Sequence, residues 1–470
     1  MVCPDLTPLS LLKDTLIMKK NNNQSRSQFL SKMTFGAAGM LSSNRTGSGS
    51  RSAAFQQSEP YVTMDDQAPD GEPLKAGLVG CGGRGSGAAV NFLDAGPNLE
   101  ITALGDVFRD QLDKCRANLN KARGVEVADE HCYVGFDAYQ KVIDSGVDLV
   151  IFATPPHFRP MHVKAAIEAD KHVFQEKPVA VDPVGARMMM ETTQKAKEKQ
   201  LCMVTGTALR YGKDYIETRE RVKDGMIGEI ISGQALRNGG ALWWIERKPE
   251  WSDMEYMLRN WGNFAWLSGD HIVEMHIHHL DQMNWYLGEN PRLAYGYGGR
   301  QQRISGDQYD YFSIQYEYEN GVKVHGSIRQ INGTDSGRVE MIKGTEGYVD
   351  CGGAIYSHDG ETLWEYPYPD EEDTDSPWAV NDPFVQEHVE LIKGIRTGPY
   401  INDSELQVNS TRMAIMGRMA AYTGREITWD EILNSDLRLG PDTYEFGPVS
   451  GIPEEPPVVG TAPSPTNRYS

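Results

Sequence analysis

The chain lacks the features that identify several common classes of protein. Its six cysteines among 470 residues form no CxxC pair, so neither a disulfide scaffold nor a thiolate zinc site is indicated. No apolar run approaches eighteen residues, which excludes an apolar spanning helix. Basic residues are in deficit, with 46 Lys and Arg against 66 Asp and Glu and a formal net charge of -20. Such a chain repels phosphate backbones, so we expect no nucleic-acid partner.

The first fifty residues have the opposite charge balance, with six basic side chains and two acidic ones. The stretch from Ser25 to Leu30, with Arg26 inside it, resembles a twin-arginine export signal, although Ser27 stands where a second arginine is usual. We therefore predict a targeting leader and flexible linker over residues 1–72 and a periplasmic or otherwise exported protein. The alternative is a disordered leader on a cytoplasmic protein.

Residues 73–205 alternate between apolar runs and helical patterns. Strands are expected at 74–79, 99–104, 147–153, 172–175 and 201–205, with helices at 160–169 and 183–199. Strands separated by helices are typical of a parallel sheet that is buried on both faces. The pattern predicts a doubly wound α/β domain.

The pattern of apolar and polar residues changes after residue 205. Alternating runs at 310–318 and 322–328 are joined by Glu319-Asn320-Gly321, a hairpin signal, and helices are expected at 386–397 and 404–422. We predict an α/β domain over residues 206–435 with a large, open and mostly antiparallel sheet. Residues 436–470 are rich in proline and are expected to form an extended arm on the body or on a partner subunit.

A glycine-rich turn follows the first predicted strand, with the sequence Gly80-Cys81-Gly82-Gly83-Arg84-Gly85. A strand before it, a helix after it and Asp106 at the end of the second strand are the context of a dinucleotide site. The helix N-terminus suits a pyrophosphate, and Asp106 would accept hydrogen bonds from ribose hydroxyls and repel a 2′-phosphate. NAD is therefore favoured over NADP. NADP stays the alternative because Arg109 lies three residues after Asp106. The alternative is a glycine turn that serves another ligand.

A second motif, Glu176-Lys177-Pro178, directly follows the strand at 172–175. Ligands gather at the carboxyl ends of parallel strands. A lysine there can hold a substrate hydroxyl and stabilise an alkoxide, and the proline can fix the turn, with a cis peptide as one form. Taken alone, such a lysine is more often a solvated charge.

Residues 270–285 are rich in histidine and acids. In a single helix, one face would carry His271, Glu274, His278, Asp281 and Trp285. We favour a general base, an imidazole supported by a carboxylate one turn away. A divalent metal site and a polar face that hydrogen-bonds a buried interface are the alternatives, and we predict no metal.

Several of these motifs together resemble one family, that of glucose-fructose oxidoreductase, inositol dehydrogenase and MocA, over about residues 74 to 435. The matching segments are the glycine loop, Thr154-Pro155-Pro156 followed by His162, Lys171-His172-Val173 before Glu176-Lys177-Pro178, His278-His279-Leu280-Asp281 before Trp285-Tyr286-Leu287-Gly288, and Gly344-Thr345-Glu346-Gly347.

The resemblance implies an N-terminal Rossmann domain followed by an open-faced α/β domain, often oligomeric through its sheet. It also implies that the catalytic residues are Lys177, His278 and Glu274, although aspartate is usual at the last position. The cofactor would be bound by Gly80, Gly82, Gly83, Arg84, Gly85, Asp106, Thr154, Pro155, His157, Glu176, Lys177 and Arg210. Arg210 could instead form a salt bridge between domains.

The sequence thus predicts an NAD(P)-dependent oxidoreductase that transfers hydride between the nicotinamide and a secondary hydroxyl of a sugar, glycoside or cyclitol. Substrate contacts are assigned to Lys177, Trp261 and Asp281, since aromatic faces suit sugar rings, although core packing explains each tryptophan equally well. We expect tightly bound NAD and a homo-oligomer, a dimer or tetramer. The alternatives are a redox-neutral NAD-dependent glycosidase, whose pattern lacks the lysine, and a non-catalytic NAD-binding sensor.

Overall fold

Two β-sheets organise the chain, one in each half. The computed structural model describes residues 62–452 except 371, 372, 374, 375 and 377. The predicted export signal lies outside the described residues, as does the arm beyond residue 452. No described helix has the length and apolar character needed to cross a membrane.

The first sheet has six parallel strands in the order β3-β2-β1-β4-β5-β6. Its strands are β1 Leu74–Val79, β2 Leu99–Asp106, β3 Cys132–Val134, β4 Leu149–Phe152, β5 His172–Glu176 and β6 Met203–Gly206. Its helices are α1 Gly83–Asp94, α2 Arg109–Arg123, α3 Ala138–Ile143, α4 Arg159–Glu168 and α5 Pro183–Glu198. The predicted Rossmann sheet is confirmed.

The second sheet has nine strands in the order β14-β13-β12-β11-β7-β10-β9-β8-β15. They are β7 Ile230–Gly239, β8 Leu293–Gly299, β9 Tyr311–Glu317, β10 Lys323–Gln330, β11 Gly337–Gly344, β12 Gly347–Asp350, β13 Ala354–Ser357, β14 Thr362–Glu365 and β15 Ile427–Thr428. All neighbours pair antiparallel except β7 and β10. The predicted hairpin joins β9 to β10, with Gly321 at a φ of 84°.

Buried and half-exposed residues alternate along β9 and β10, so one face of this sheet packs on helices and the other is open. The remaining helices are α6 Lys213–Lys223, α7 Asp253–Arg259, α8 Ala265–Ser268, α9 His271–Glu274, α10 Ile277–Leu287, α11 Pro383–Thr397, α12 Ser404–Thr423 and α13 Trp429–Asn434. Helix α11 packs on the first sheet, where Val389 and Ile392 join the cluster of Leu78 and Phe174.

The single helix predicted over residues 270–285 is wrong, because α9 ends at Glu274 and α10 begins at Ile277. The amide of His276 donates to the carbonyl of His271, five residues back, at 3.1 Å. A bond of that span widens the turn and ends the regular ladder. Glu274 and His278 therefore belong to separate helices.

Candidate cofactor and catalytic site

The glycine loop contains two kinds of glycine. Gly80 has a φ of 96°, and a Cβ on it would lie 2.6 Å from the carbonyl carbon of Ala153; a Cβ on Gly85 would lie 1.8 Å from the oxygen of Gly80. At Gly82 and Gly83 no described atom lies within 4 Å of an added Cβ. Two glycines therefore close the turn, and two border open space at the start of α1, where unpaired amides can receive a pyrophosphate. This cradle fits a dinucleotide.

Asp106, at the end of β2, is tied to this loop. Its Oδ2 accepts from the amide of Cys81 at 2.7 Å, and its Oδ1 accepts from the amide of Phe108 at 2.8 Å. Burial raises the pKa of Asp106, and the two amides oppose that rise. Each oxygen keeps a lone pair for a ribose hydroxyl. Arg109 pairs with Asp113 at 3.5 Å, along α2.

Arg84 and Glu176, both assigned to the cofactor, pair with each other. The guanidinium Nε of Arg84 lies 2.5 Å from Oε1 of Glu176, and its Nη2 lies 3.8 Å from Oε1 of buried Glu387. The guanidinium also stacks on the Phe384 ring, 4.9 Å from its centroid. These contacts direct Arg84 toward α11 and link the glycine-loop helix to β5, the strand directly before Lys177.

The loop after β4 contains the predicted residues Thr154, Pro155 and His157. The hydroxyl of Thr154 lies 3.4 Å from Nδ1 of His162. The Nε2 of His157 lies 2.8 Å from the hydroxyl of Tyr444, in the C-terminal segment. Burial lowers the pKa of His157 to about 3, so its ring is neutral at physiological pH.

Lys177 reaches from the first sheet to α9. Its Nζ donates to the carbonyl oxygen of Glu274 at 2.7 Å and to Oε1 of the same residue at 2.9 Å. The Lys177–Pro178 peptide is cis, the form that the sequence allowed. The side chains of Lys177 and Glu274 are only 12% and 17% exposed, so this ion pair is shielded from water. Two motifs almost a hundred residues apart thus meet at the carboxyl edge of the parallel sheet.

His278 lies in the first turn of α10 and is partly exposed. Desolvation lowers the pKa of His278 well below its usual value, and the nearby Lys177 cation lowers it further. Within the described chain no hydrogen bond reaches the ring, so its nitrogens are available to a ligand. Glu274 is bonded to Lys177, and the structure shows no hydrogen bond between Glu274 and His278 among its described residues.

The other histidines of this segment are used in packing. His271 lies in the core with Nδ1 2.8 Å from Oδ1 of Asp270. His279 pairs with buried Glu340; burial alone would raise the pKa of that carboxyl, but the imidazole brings it to about 2. His276 is fully buried and has no hydrogen-bond partner among the described residues. Across the described chain no three His, Cys, Asp or Glu side chains are placed to hold a metal.

Arg210 and Asp281 form a buried, bidentate salt bridge. Nε and Nη2 of Arg210 donate to the two carboxylate oxygens at 2.8 and 2.9 Å, and the hydroxyl of Ser410 donates to Oδ1 at 2.7 Å. Asp281 is 2% exposed. The salt bridge considered as the alternative for Arg210 is therefore present. It occupies the acid that was assigned to the substrate.

Trp261, which was predicted to contact the sugar, and the tryptophans near it in the sequence divide between core and surface. Trp266 is fully buried and Trp261, in a 3₁₀ turn after α7, is half-buried against the core of the second sheet. Trp243 and Trp244 are exposed, at 38% and 42%. Among these four tryptophans, only Trp261 both packs against the core and keeps part of its ring exposed.

Arg237 of β7 is a candidate that the sequence reasoning missed. It pairs in register with Arg338, and two residues earlier Ala235 pairs with Glu340, the partner of His279. Residues two apart in a strand point to the same face, so Arg237 points to the face of the sheet that packs on the helices. Burial lowers its pKa, and the Glu274 carboxylate opposes that shift. The available signal was an arginine at an inward position, after Gly233 and Ala235.

The contrast among the loop glycines gives a direct test. Gly83→Ala is expected to leave the melting temperature unchanged, because the added methyl group meets no described atom. The same methyl group would enter the space that we assign to the pyrophosphate, so NAD binding should weaken about tenfold. Gly85→Ala should lower both, because its Cβ would meet the oxygen of Gly80. Thermal melting and NAD titration of both variants give the result. Unchanged NAD affinity in Gly83→Ala would contradict the placement of the dinucleotide.

Comparison with known proteins supports this reading of both halves. Residues 74–205 match the GFO_IDH_MocA model, described as oxidoreductase family, NAD-binding Rossmann fold. Residues 215–350 match the GFO/IDH/MocA C-terminal domain. Together the two matches take in more than half of the chain.

Curated relatives have different printed activities. The chain is 28% identical over 227 residues to 2,7-anhydro-N-acetylneuraminate hydratase of Escherichia coli (strain K12), covering 48% of this chain and 53% of that protein. It is 26% identical over 251 residues to inositol 2-dehydrogenase of Salmonella paratyphi B, covering 53% of this chain and 66% of the relative. The chain thus spans about half to two thirds of the length of these relatives.

A solved structure extends the fold comparison over most of the chain. Scyllo-inositol dehydrogenase from Lactobacillus casei, with bound NAD(H) and scyllo-inositol, aligns with a TM-score of 0.56 at 18% identity, over 76% of this chain and 99% of the other. At that identity the likeness shows the fold. With both halves matched in order, the chain belongs to the GFO/IDH/MocA family of NAD-binding oxidoreductases.

Proposed function

We propose that the protein transfers hydride between NAD and a secondary hydroxyl of a sugar, glycoside or cyclitol. The observation that carries this proposal is the contact of Lys177 with Glu274 beside His278, at the carboxyl edge of the sheet whose first loop fits a dinucleotide. The relative named as an inositol dehydrogenase supports a polyol substrate.

NAD is the cofactor that the loop and Asp106 favour, since a carboxylate at that position repels a 2′-phosphate. Gly82 and Gly83 leave room for the pyrophosphate, and Asp106 would accept from the ribose hydroxyls. When bound, NAD supplies the acceptor for a hydride at its nicotinamide ring.

The side chains then have distinct tasks in alcohol oxidation. His278 accepts the proton of the substrate hydroxyl. The C–H bond of the carbon that carries this hydroxyl breaks, and its hydrogen leaves with the electron pair as hydride. Lys177 donates to the developing alkoxide, and Glu274 holds the ammonium through two acceptor atoms. Glu274 is thereby a positioning residue for Lys177, while its predicted role in orienting His278 stays a prediction.

The lowered pKa of His278 makes a pH prediction. A base must be neutral to accept a proton, and a pKa below the usual 6.5 keeps the ring neutral as pH falls. We expect kcat/KM for alcohol oxidation to hold its plateau from neutral pH down through 6.5 and to decline only below that. His278→Gln should remove this acidic limb together with most of the turnover. A limb at 6.5 or above would contradict the lowered pKa.

The overall proposal is tested by native mass spectrometry of the purified protein followed by turnover assays with a panel of sugars, glycosides and cyclitols. Expected results are a retained or readily bound NAD and formation of a keto sugar with NADH. The same spectrum reports subunit number, for which we propose a homo-oligomer formed through the open face of the nine-stranded sheet. Export of the protein is likewise a proposal, which N-terminal sequencing of the mature chain would test.

A redox-neutral reaction is the second candidate. It is favoured by the similarity to a protein named as a hydratase, a type of reaction without net oxidation. In that case glycosides or anhydro sugars would be converted with NAD bound but no accumulation of NADH. Tight NAD binding with no change in any sugar would instead indicate a sensor.

A further inference from the structure

The C-terminal arm, residues 436–452, crosses the carboxyl edge of the first sheet without a helix or strand of its own. Its first contacts lie on the β5 side. The amide of Leu439 donates to Oδ2 of Asp182, the N-cap of α5, at 2.8 Å. Gly440 follows, where a Cβ would lie 2.7 Å from the His157 ring and 3.1 Å from Trp266. The arm thus begins pressed against the loop after β4.

The middle of the arm is fixed by Tyr444. Its hydroxyl is 2.8 Å from Nε2 of His157, and its ring packs edge-on against Phe158 with centroids 5.2 Å apart. Arg438 donates to the same hydroxyl at 3.3 Å, which directs the phenol proton to the neutral imidazole. The loop that we assign to the cofactor is therefore hydrogen-bonded to the arm.

Phe446 lies at the opposite end of this carboxyl edge, beside β2 and β3. Its ring centroid lies 5.3 Å from that of Phe136, just after β3, and 5.9 Å from that of Phe108, just after β2. Phe108 is the residue whose amide binds Asp106. Phe446 is 49% exposed even within this aromatic group, so much of its ring is free for another flat partner.

Helix α7 fastens the far end. The amide of Met254 donates to the oxygen of Gly447, and the amide of Val449 donates to Oδ2 of Asp253, both at 3.2 Å. From the same helix, Arg259 binds both oxygens of Asp110 in α2 at 3.1 Å. Its guanidinium also stacks 4.0 Å over the ring of Phe108. The arm is thus held by contacts at both ends of the carboxyl edge.

The strand order sets which part of a dinucleotide each contact faces. With Asp106 on the ribose, the adenosine half lies over β2 and β3, and the nicotinamide half lies over β4 and β5. We propose that the arm is part of the cofactor site, that Phe446 with Phe108 and Phe136 forms an aromatic wall for the adenine ring, and that the arm slows the release of NAD. This inference rests on the proposed function for the identity of the ligand.

The test compares NAD release from Phe446→Ala with release from wild type, measured on the whole chain by rapid mixing with an excess of a competing dinucleotide. Loss of one aromatic face for the adenine is expected to accelerate release about tenfold. Tyr400→Ala is the matched control, because Tyr400 is also 49% exposed and lies outside the arm. It should release NAD at the wild-type rate.

A milder variant protects the test against misfolding. Tyr444→Phe keeps the ring on Phe158 and loses the bond to His157, so it should release NAD faster than wild type and more slowly than Phe446→Ala. NAD should also protect the chain from trypsin at Arg438. Equal release from all variants, without protection, would overturn the role of the arm while leaving NAD binding intact. Failure of the wild type to bind NAD would overturn the proposed function as well.

Discussion

Lys177→Met is expected to lower the rate of alcohol oxidation by about 10³-fold, with the loss in the chemical step. The ammonium is the one cation bonded to Glu274 in the described site, at 2.7 and 2.9 Å from its two acceptor atoms. Without it, the alkoxide loses its donor, and the partly buried Glu274 loses the cation that is bonded to it. Single-turnover reduction of NAD, with sugar in excess, measures the chemical step directly.

Two controls separate this effect from a general loss of charge. Lys164→Met removes an exposed lysine from α4 and should have the wild-type rate. Lys177→Arg keeps the charge but not the compact ammonium, so it should recover only part of the activity. If Lys177→Met turned over like wild type, the lysine would be a structural ion pair and the catalytic assignment would fail.

Asp281→Ala is expected to reduce the free energy of unfolding by about 3–5 kcal/mol, the cost of breaking a buried ion pair by removing one of its members. The guanidinium of Arg210 would lose both charge-assisted bonds, and the hydroxyl of Ser410 would lose its acceptor. Chemical denaturation with fluorescence detection gives the magnitude. A residue that only contacted substrate would change KM and leave stability unchanged.

The double variant Arg210→Met with Asp281→Leu tests the same point from the other side. Replacement of both charges by apolar groups removes the buried cation together with the buried anion, so much of the lost stability should return. If the double variant were as unstable as the sum of the single variants, the two side chains would not act as a pair. Retained stability in Asp281→Ala with a raised KM would restore the substrate assignment.

Five of the six strands of the first sheet could be predicted because their periodicity is local, and so could strands β9 and β10 and helices α4, α5, α11 and α12. Exceptions arise where local signals are weak: β3 has only three residues, Cys132–Val134, too few for a period to show. The break between α9 and α10 follows from one backbone hydrogen bond of His276 to His271. No residue type in this segment predicts that bond. A Pro or Gly would have marked such a break, and neither occurs there.

The site shows the same limit for charged side chains. Lys177 follows a strand at the sheet edge where ligands gather, so its position could be predicted from the sequence. The partners of Arg84, Arg210 and Asp281 could not, because an ion pair depends on which distant segments the fold brings together. Glu274 was identified, yet its bond is to Lys177 and not to His278.

The packing of α11 on the first sheet has a consequence for how the protein is made. Val389 and Ile392 complete the cluster around Leu78 and Phe174, which lie about three hundred and about two hundred residues earlier in the chain. When the ribosome has synthesised the six strands, helix α11, which covers one side of their core, has therefore not yet been made. Closing so long a loop is slow, and the exposed apolar face invites association in the meantime. We expect the segment of residues 74–205, released alone, to aggregate, and expression to depend on chaperones until helix α11 emerges.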